Sequence, residues 1–264
     1  MCAAKNLKRG GDGGVSEVLG FLLIFTIIIA GIGLVTLYGY PMLLQQQSSA
    51  NEKIMEKNMI VLQNDLKSLS YNMVPYSETS LNVGGGTLTV YNMSYSLQTS
   101  SNFTISDTSG IINPPVTFQP GDMRYESTGA QTEISLENGA VVMRMLAENG
   151  STMLAEPRWF YDAPTSTAVI YLIGFNTTDV IARSGVGTVA MELDQTNYTV
   201  YSIPPGDTVT VQYTPNPSVD YSVAWGNYFT NTVGLNAVSN GVYAFPSNVN
   251  TLVVYRYEIR VKSV

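Results

Sequence analysis

The side chains able to do chemistry in this chain are few, and their types close most reaction classes to it. There is no His and a single Cys, Cys2. Ser-His-Asp, Cys-His and His-ligated metal sites are therefore excluded within the chain, as are intramolecular disulfides and thiolate zinc clusters. Gly84-Gly85-Gly86 lacks the Lys-Ser/Thr of a phosphate loop and follows a helical pattern, so it reads as a linker. The acids are scattered without a D-x-D-x-D-G loop. Asp162 and Asp207 read as solvated turn acids, with a loop calcium site left open. Trp159, Trp225 and the 17 Tyr read as half-buried strand residues before they read as an adhesive face. The expectation is no enzyme, no catalytic residue, no cofactor, no metal and no small-molecule substrate.

What remains points to processing, anchoring and modification. Glu17 stands at the start of the run Val18 to Tyr40, which carries no charge. At ~1.5 Å rise per residue that run makes a helix about 35 Å long, enough to cross the hydrocarbon of a bilayer. A buried soluble helix of this length would keep a polar face, so a membrane span is the reading. Lys5, Lys8 and Arg9 precede it, placing the N-terminus in the cytoplasm and everything after Tyr40 outside. The apolar run is too long for a secretory h-region, and Thr36 to Pro41 is a poor cleavage site. Pro41 is expected to kink or end the helix at the outer interface, with Tyr38 and Tyr40 as anchors.

The junction Arg9-Gly10-Gly11-Asp12-Gly13-Gly14-Val15-Ser16-Glu17-Val18-Leu19-Gly20 resembles the leader of archaeal type IV pilins, pseudopilins and archaellin-related proteins. Val15 to Gly20 is similar to their V-S-P-V-I-G motif, with Glu17 where that motif has Pro. The resemblance covers about residues 5 to 45. It implies that a prepilin-type peptidase cuts a class III signal peptide between Gly14 and Val15. It also implies that Glu17 pairs with the new α-amino group of a neighbouring subunit. Glu17 lying in the headgroup layer as a helix cap is the equal alternative, since depth in the membrane decides what an acid there costs.

The elements that must hold these features follow from periodicity. Met55, Met59, Leu62, Leu66, Leu69 and Met73 form a narrow apolar seam at helical spacing, expected to end at Pro75 and to pack on the chain's own head, with packing on the same segment of other subunits as the alternative. Beyond it the pattern turns to β. Thr132 to Glu137, Asn138-Gly139 and Ala140 to Met145 read as a hairpin with a type I′ turn. Further strands are expected at 87–91, 103–106, 167–175, 187–193, 198–203, 208–213, 221–225 and 251–261, punctuated by Pro-rich turns.

The predicted class is α+β: a long hydrophobic helix with an amphipathic extension, then an all-β, sandwich-like head. The expected organisation is a cleavable leader (1–14), a transmembrane or filament-core helix (15–40), an amphipathic stalk (41–75) and an extracellular β domain (76–264). Five sequons, at Asn92, Asn102, Asn149, Asn176 and Asn197, are acceptors for N-glycosylation if the head is external. Charge at 12% and a net charge of −7 argue against a nucleic-acid partner. The expected partners are the membrane, the peptidase and like or related pilin subunits. The expected protein is a single-pass surface subunit, in or out of a filament. A permanently anchored binding module that does not polymerise is the alternative.

Overall fold

A computed structural model describes residues 13–94, 101–129, 131–146, 150–246 and 249–264, with 13–16 as backbone only. The leader residues 1–12 and the Asn149 sequon lie outside the described residues. The chain forms two compact units, residues 1–47 and 48–264.

The first unit is helical. Helix α1 (Gly13–Leu34) passes through one π turn (Val35–Gly39) into α2 (Tyr40–Tyr71), whose later part belongs to the second unit. Of the two outcomes expected at Pro41, a kink or an end, the helix does not end there. The wide turn just before it absorbs the defect, with the Tyr40 N–H donating five residues back to the Val35 carbonyl. A proline ring displaces the carbonyl four residues before it, and a π turn makes room without breaking the helix.

Among the described residues the second unit carries fourteen strands. These are β1 (Tyr76–Tyr91), β2 (Asn102–Asp107), β3 (Val116–Phe118), β4 (Asp122–Ser127), β5 (Thr132–Glu137), β6 (Ala140–Met145) and β7 (Ser151–Ala155). They continue with β8 (Phe160–Asp162), β9 (Thr167–Asn176), β10 (Ile181–Ser202), β11 (Val209–Thr214), β12 (Asn236–Ser239), β13 (Val242–Ala244) and β14 (Thr251–Ser263). Nine strands form a sheet in the order β7-β6-β5-β4-β1-β10-β14-β9-β8, and five form another in the order β12-β13-β11-β2-β3. Strand β9 runs parallel to β14, and the other pairs are antiparallel.

The two faces of the large sheet are used differently, as side-chain alternation along a strand demands. On β9, Ala168, Ile170 and Leu172 join the small sheet's Phe103, Ile105, Val209 and Val211 in one core. Ile173 and Phe175 face the other way, into a core with α2. The architecture is α+β with a sandwich-like head.

The helical seam packs on its own head. Met55, Met59, Leu62, Leu66 and Leu69 are fully buried against Leu81, Val90, Met123, Ile134 and Ile259. Each such side chain contributes about 1.5–3 kcal/mol of transfer free energy. The sixth residue, Met73, departs from the expectation. It lies beyond the end of α2 at Tyr71 with φ +56° and is exposed. Buried Gln63 fixes the register of the helix by donating to the carbonyls of Gly139 (2.7 Å) and Glu156 (2.9 Å).

The β5–β6 hairpin forms at the expected residues, with Asn138 at φ +47° and Gly139 at φ +77°, as a type I′ turn requires. Asn138 Oδ1 also accepts the Ile173 N–H at 2.8 Å, tying the turn to β9.

Three further expectations are corrected. Gly84 to Gly86 is not a linker but lies inside β1, at the irregularity between Val83 and Leu88, where Gly85 takes φ +68°. The strands expected at 187–193 and 198–203 are one strand, β10, with bulges at Ala190/Met191 and Leu193/Gln195 opposite β14. Residues 221–225 are not a strand. They enter helix α3 (Ser222–Asn227) and a following π turn (Tyr228–Val233). Tyr221, Trp225, Tyr228 and Phe229 are buried at helical spacing, so packing overrides the β preference of their aromatic types.

Candidate functional site: the apolar helix and the polar centre of the head

Helix α1 is apolar on all sides. Its apolar side chains are exposed, among them Val18, Phe21, Leu22, Ile27, Ile28, Ile32 and Leu34. The stretch from Glu17 onward contains an 18-residue window of mean hydropathy 2.9, with none of it buried. A helix of this kind is long and apolar enough to cross a membrane. Thr26 Oγ1 donates to the Leu22 carbonyl (2.7 Å), and in the following π turn Thr36 Oγ1 donates to the Ile32 carbonyl (2.9 Å), so both threonine hydroxyls are satisfied within the helix. Glu17 is the one ionisable side chain of α1, in the second turn and exposed. Gly14 and Val15, the expected scissile pair, are the second and third residues of the helix. Gly20, Gly31 and Gly33 leave open space on the helix surface, with nothing within 4 Å of an added Cβ.

The four described sequons differ in access. Asn197, on β10, is exposed. Asn92 is half-buried, and its Nδ2, the atom a glycan would take, donates to the Thr177 carbonyl. Asn102 lies half-buried in β2. Asn176 is half-buried beside Asp194, with Nδ2 to Oδ2 at 3.4 Å.

The loop acids are engaged by the protein. Asp207 accepts the N–H groups of Thr108 (3.0 Å), Ser109 (3.0 Å) and Thr208 (2.8 Å), and the hydroxyls of Thr108 and Ser109. Burial works against its charge, but these donors outweigh burial and hold the carboxyl well below the usual carboxylate range. Asp162 accepts from Thr165 Oγ1. No group of three or more potential ligands gathers among the described residues.

The head also contains a polar centre that the sequence reading missed. On the face of β4 and β5 turned away from α2, Arg124 donates twice to Asp122 Oδ2 (2.8 Å each), and Ser135 Oγ donates to the same oxygen (2.8 Å). The Arg124 guanidinium lies 4.8 Å from the Tyr91 ring centre. Glu126 and Glu133 stand opposite each other across the β4–β5 ladder. With Tyr91, Arg124, Asn216 and Ser218 they line a cleft of about 280 Å³.

Deeper still, Glu137 is 3% exposed and accepts from Trp225 Nε1 (2.8 Å) and Tyr213 OH (3.3 Å). Burial, reinforced by the Asp122 charge, pushes its carboxyl up to about 7. Around it pack Phe103, Trp159, Trp225 and Phe229, with ring centres 4.8 to 5.8 Å apart in the pairs Phe103–Trp225, Phe103–Trp159 and Trp225–Phe229. Both Trp are buried, so neither offers an adhesive surface. The sequence signal for this centre was present but ambiguous. Asp122-Met123-Arg124-Tyr125-Glu126 and Glu133-Ile134-Ser135-Leu136-Glu137 alternate like the wet face of an antiparallel sheet. Only the tertiary cover over that face makes it interior.

Fold and site together define a protein with one exposed apolar helix long enough to span a membrane, joined to a mixed, sandwich-like β head. The chain belongs to a family of unknown function, DUF7289, whose model matches residues 13–262. No curated protein and no solved structure matches it.

Proposed function

We propose that this is a membrane-tethered, pilin-like surface protein, a structural or minor subunit of an archaeal type IV pilus-like filament. The observation that carries the reading is the contrast between its two units. The head buries its own core, including the seam of α2, whereas α1 leaves every bulky apolar side chain from Val18 to Leu34 exposed. Such a surface requires lipid or other helices around it. In this reading the N-terminus is cytoplasmic, the head is extracellular, and a prepilin-type peptidase removes residues 1–14 before Val15. The helix first anchors the subunit and then bundles with others. Glu17 then neutralises the freed α-amino group of a neighbour, and Gly20, Gly31 and Gly33 permit close approach of helices. Among the described sequons, Asn197 is the best-presented glycosylation acceptor.

Intact-mass analysis of the protein purified from its native membrane tests the processing step. The expected chain begins at Val15, and a retained Met1–Gly14 leader refutes it. Glu17→Ala separates the filament from a permanent anchor. Loss of surface filaments with normal membrane insertion supports assembly, and unchanged behaviour favours an anchored binding module.

A further inference from the structure

Strand β10 is paired unevenly. Its residues Ile181 to Val189 pair with β1, only Ala190 to Glu192 pair with both β1 and β14, and from Gln195 to Ser202 it pairs with β14 alone. No other described backbone group bonds to this stretch. The segment Gln-Thr-Asn-Tyr-Thr-Val-Tyr-Ser is uncharged, free of Pro and Lys, and rich in β-forming residues. Residues 195–200 are exposed on both faces of the strand, with Tyr198 at 63%. Proteins ordinarily blunt such an edge with charge, proline or a cover, and here none is present.

The rings on one face say what fits beside it. Tyr171, Tyr255 and Tyr198 are direct cross-strand neighbours on β9, β14 and β10. Their rings form a row, Tyr171–Tyr255 at 5.0 Å and 9°, then Tyr255–Tyr198 at 5.6 Å and 33°. The row stops at the open edge, where the outer face of Tyr198 has no further ring among the described residues.

We propose that this edge pairs with the same edge of a second copy of the chain, antiparallel and centred on Tyr198. A two-fold pairing there sets Tyr198 against Tyr198 of the other copy and continues the ring row across the interface. Thr196 then faces Val200, Asn197 faces Thr199, and Gln195 faces Tyr201. Asp194 faces Ser202, so no like charges oppose. The outward N–H and C=O groups of both strands are satisfied together. The inference is independent of the filament reading, because it needs neither removal of residues 1–14 nor pairing by Glu17. An edge contact of this kind is small, so the pairing is weak in dilute solution and gains from confinement to a membrane. A glycan on Asn197 would stand at the interface, so the pairing belongs to unmodified chain.

The test uses full-length protein from a host without N-glycosylation, with Cys2→Ser, reconstituted in liposomes. With an added mild oxidant (oxidised glutathione) to take up the two electrons and two protons, Tyr198→Cys is expected to form a disulfide dimer roughly tenfold or more faster than Ser80→Cys, an exposed control on β1, because facing residues lie within disulfide reach. Adding Val200→Lys, which places a charge on the edge, is expected to return the rate to that of the control. Because Tyr198→Cys removes the ring, sedimentation of the Cys2→Ser chain against its Val200→Lys form measures pairing with the row intact. The association is expected to weaken on substitution. Equal cross-linking at Tyr198→Cys and Ser80→Cys overturns the proposal, as does association that Val200→Lys leaves unchanged in both assays. Tryptophan fluorescence confirms that the head remains folded in each variant.

Discussion

Replacing Glu137 with Gln tests the electrostatic account of the head. The native carboxyl titrates near 7, against an ordinary value of 4.5. The folded state therefore holds this proton more tightly than the unfolded state does. As pH rises from about 4.5 to 7 the unfolded chain releases it first, so folding stability falls across that window and levels off above it. At 1.36 kcal/mol for each factor of ten, the displacement from 4.5 to about 7 amounts to about 3 kcal/mol. Gln keeps an oxygen for Trp225 Nε1 and Tyr213 OH but does not ionise. Glu137→Gln is expected to match the native protein near pH 4.5 and to exceed it by up to about 3 kcal/mol at pH 8. For a unit spanning residues 48–264, that is a midpoint difference of about 6–12 °C. Urea unfolding of both proteins in detergent from pH 4.5 to 8, followed by fluorescence, reads the head alone, because the two Trp, Trp159 and Trp225, both lie in it. Burial also raises the Glu133 carboxyl, so the difference between the two profiles isolates Glu137. A difference that stays flat with pH, or that favours the native protein more as pH rises, refutes the reasoning.

Other substitutions probe the links that hold the layers together. Leu62→Ala, in the centre of the buried seam, is expected to destabilise the head by about 2–5 kcal/mol in urea unfolding, with membrane insertion unchanged. Gln63→Leu leaves the Gly139 and Glu156 carbonyls without their donor and is expected to cost about 1–3 kcal/mol in the same assay. Asp207→Ala removes the acceptor shared by three backbone N–H groups and is expected to cost about 1–3 kcal/mol at pH 7. Because the native carboxyl titrates below its ordinary range, the deficit relative to native protein should shrink as pH falls below about 4.

How much of this was legible in the sequence depended on whether the signal was local. The β5–β6 hairpin was fully legible, since Asn138-Gly139 specifies two positive φ values and the flanking alternation fixes which side chains share a face. The helical seam was legible through Leu69, and it failed at Met73 because apolar spacing persists past the point where the backbone turns left-handed. At Pro41 the sequence signalled a local defect but not its form, because a proline can end a helix, kink it or be accommodated by a wider turn. Residues 221–225 failed because aromatic composition and helical spacing pointed different ways, and burial favoured the spacing.

The polar centre was the least legible part, for a reason that bears on the candidate site. A sheet residue that alternates with apolar neighbours reads the same whether its face meets water or a second layer of protein. Asp122, Arg124, Ser135 and Glu137 are interior only because β2, β11 and the stretch from Asn216 to Trp225 cover that face, and those segments lie far away in sequence. The same ambiguity runs in reverse on β10. Gln195 to Ser202 is uncharged and rich in β-forming residues, yet one edge is open along it and both faces are open from Gln195 to Val200. Composition states what a strand tolerates beside it, and topology decides whether the chain supplies it. For β4 and β5 the chain supplies a cover and accepts a buried acid, whereas for the end of β10 it supplies nothing, which leaves that edge to a second molecule.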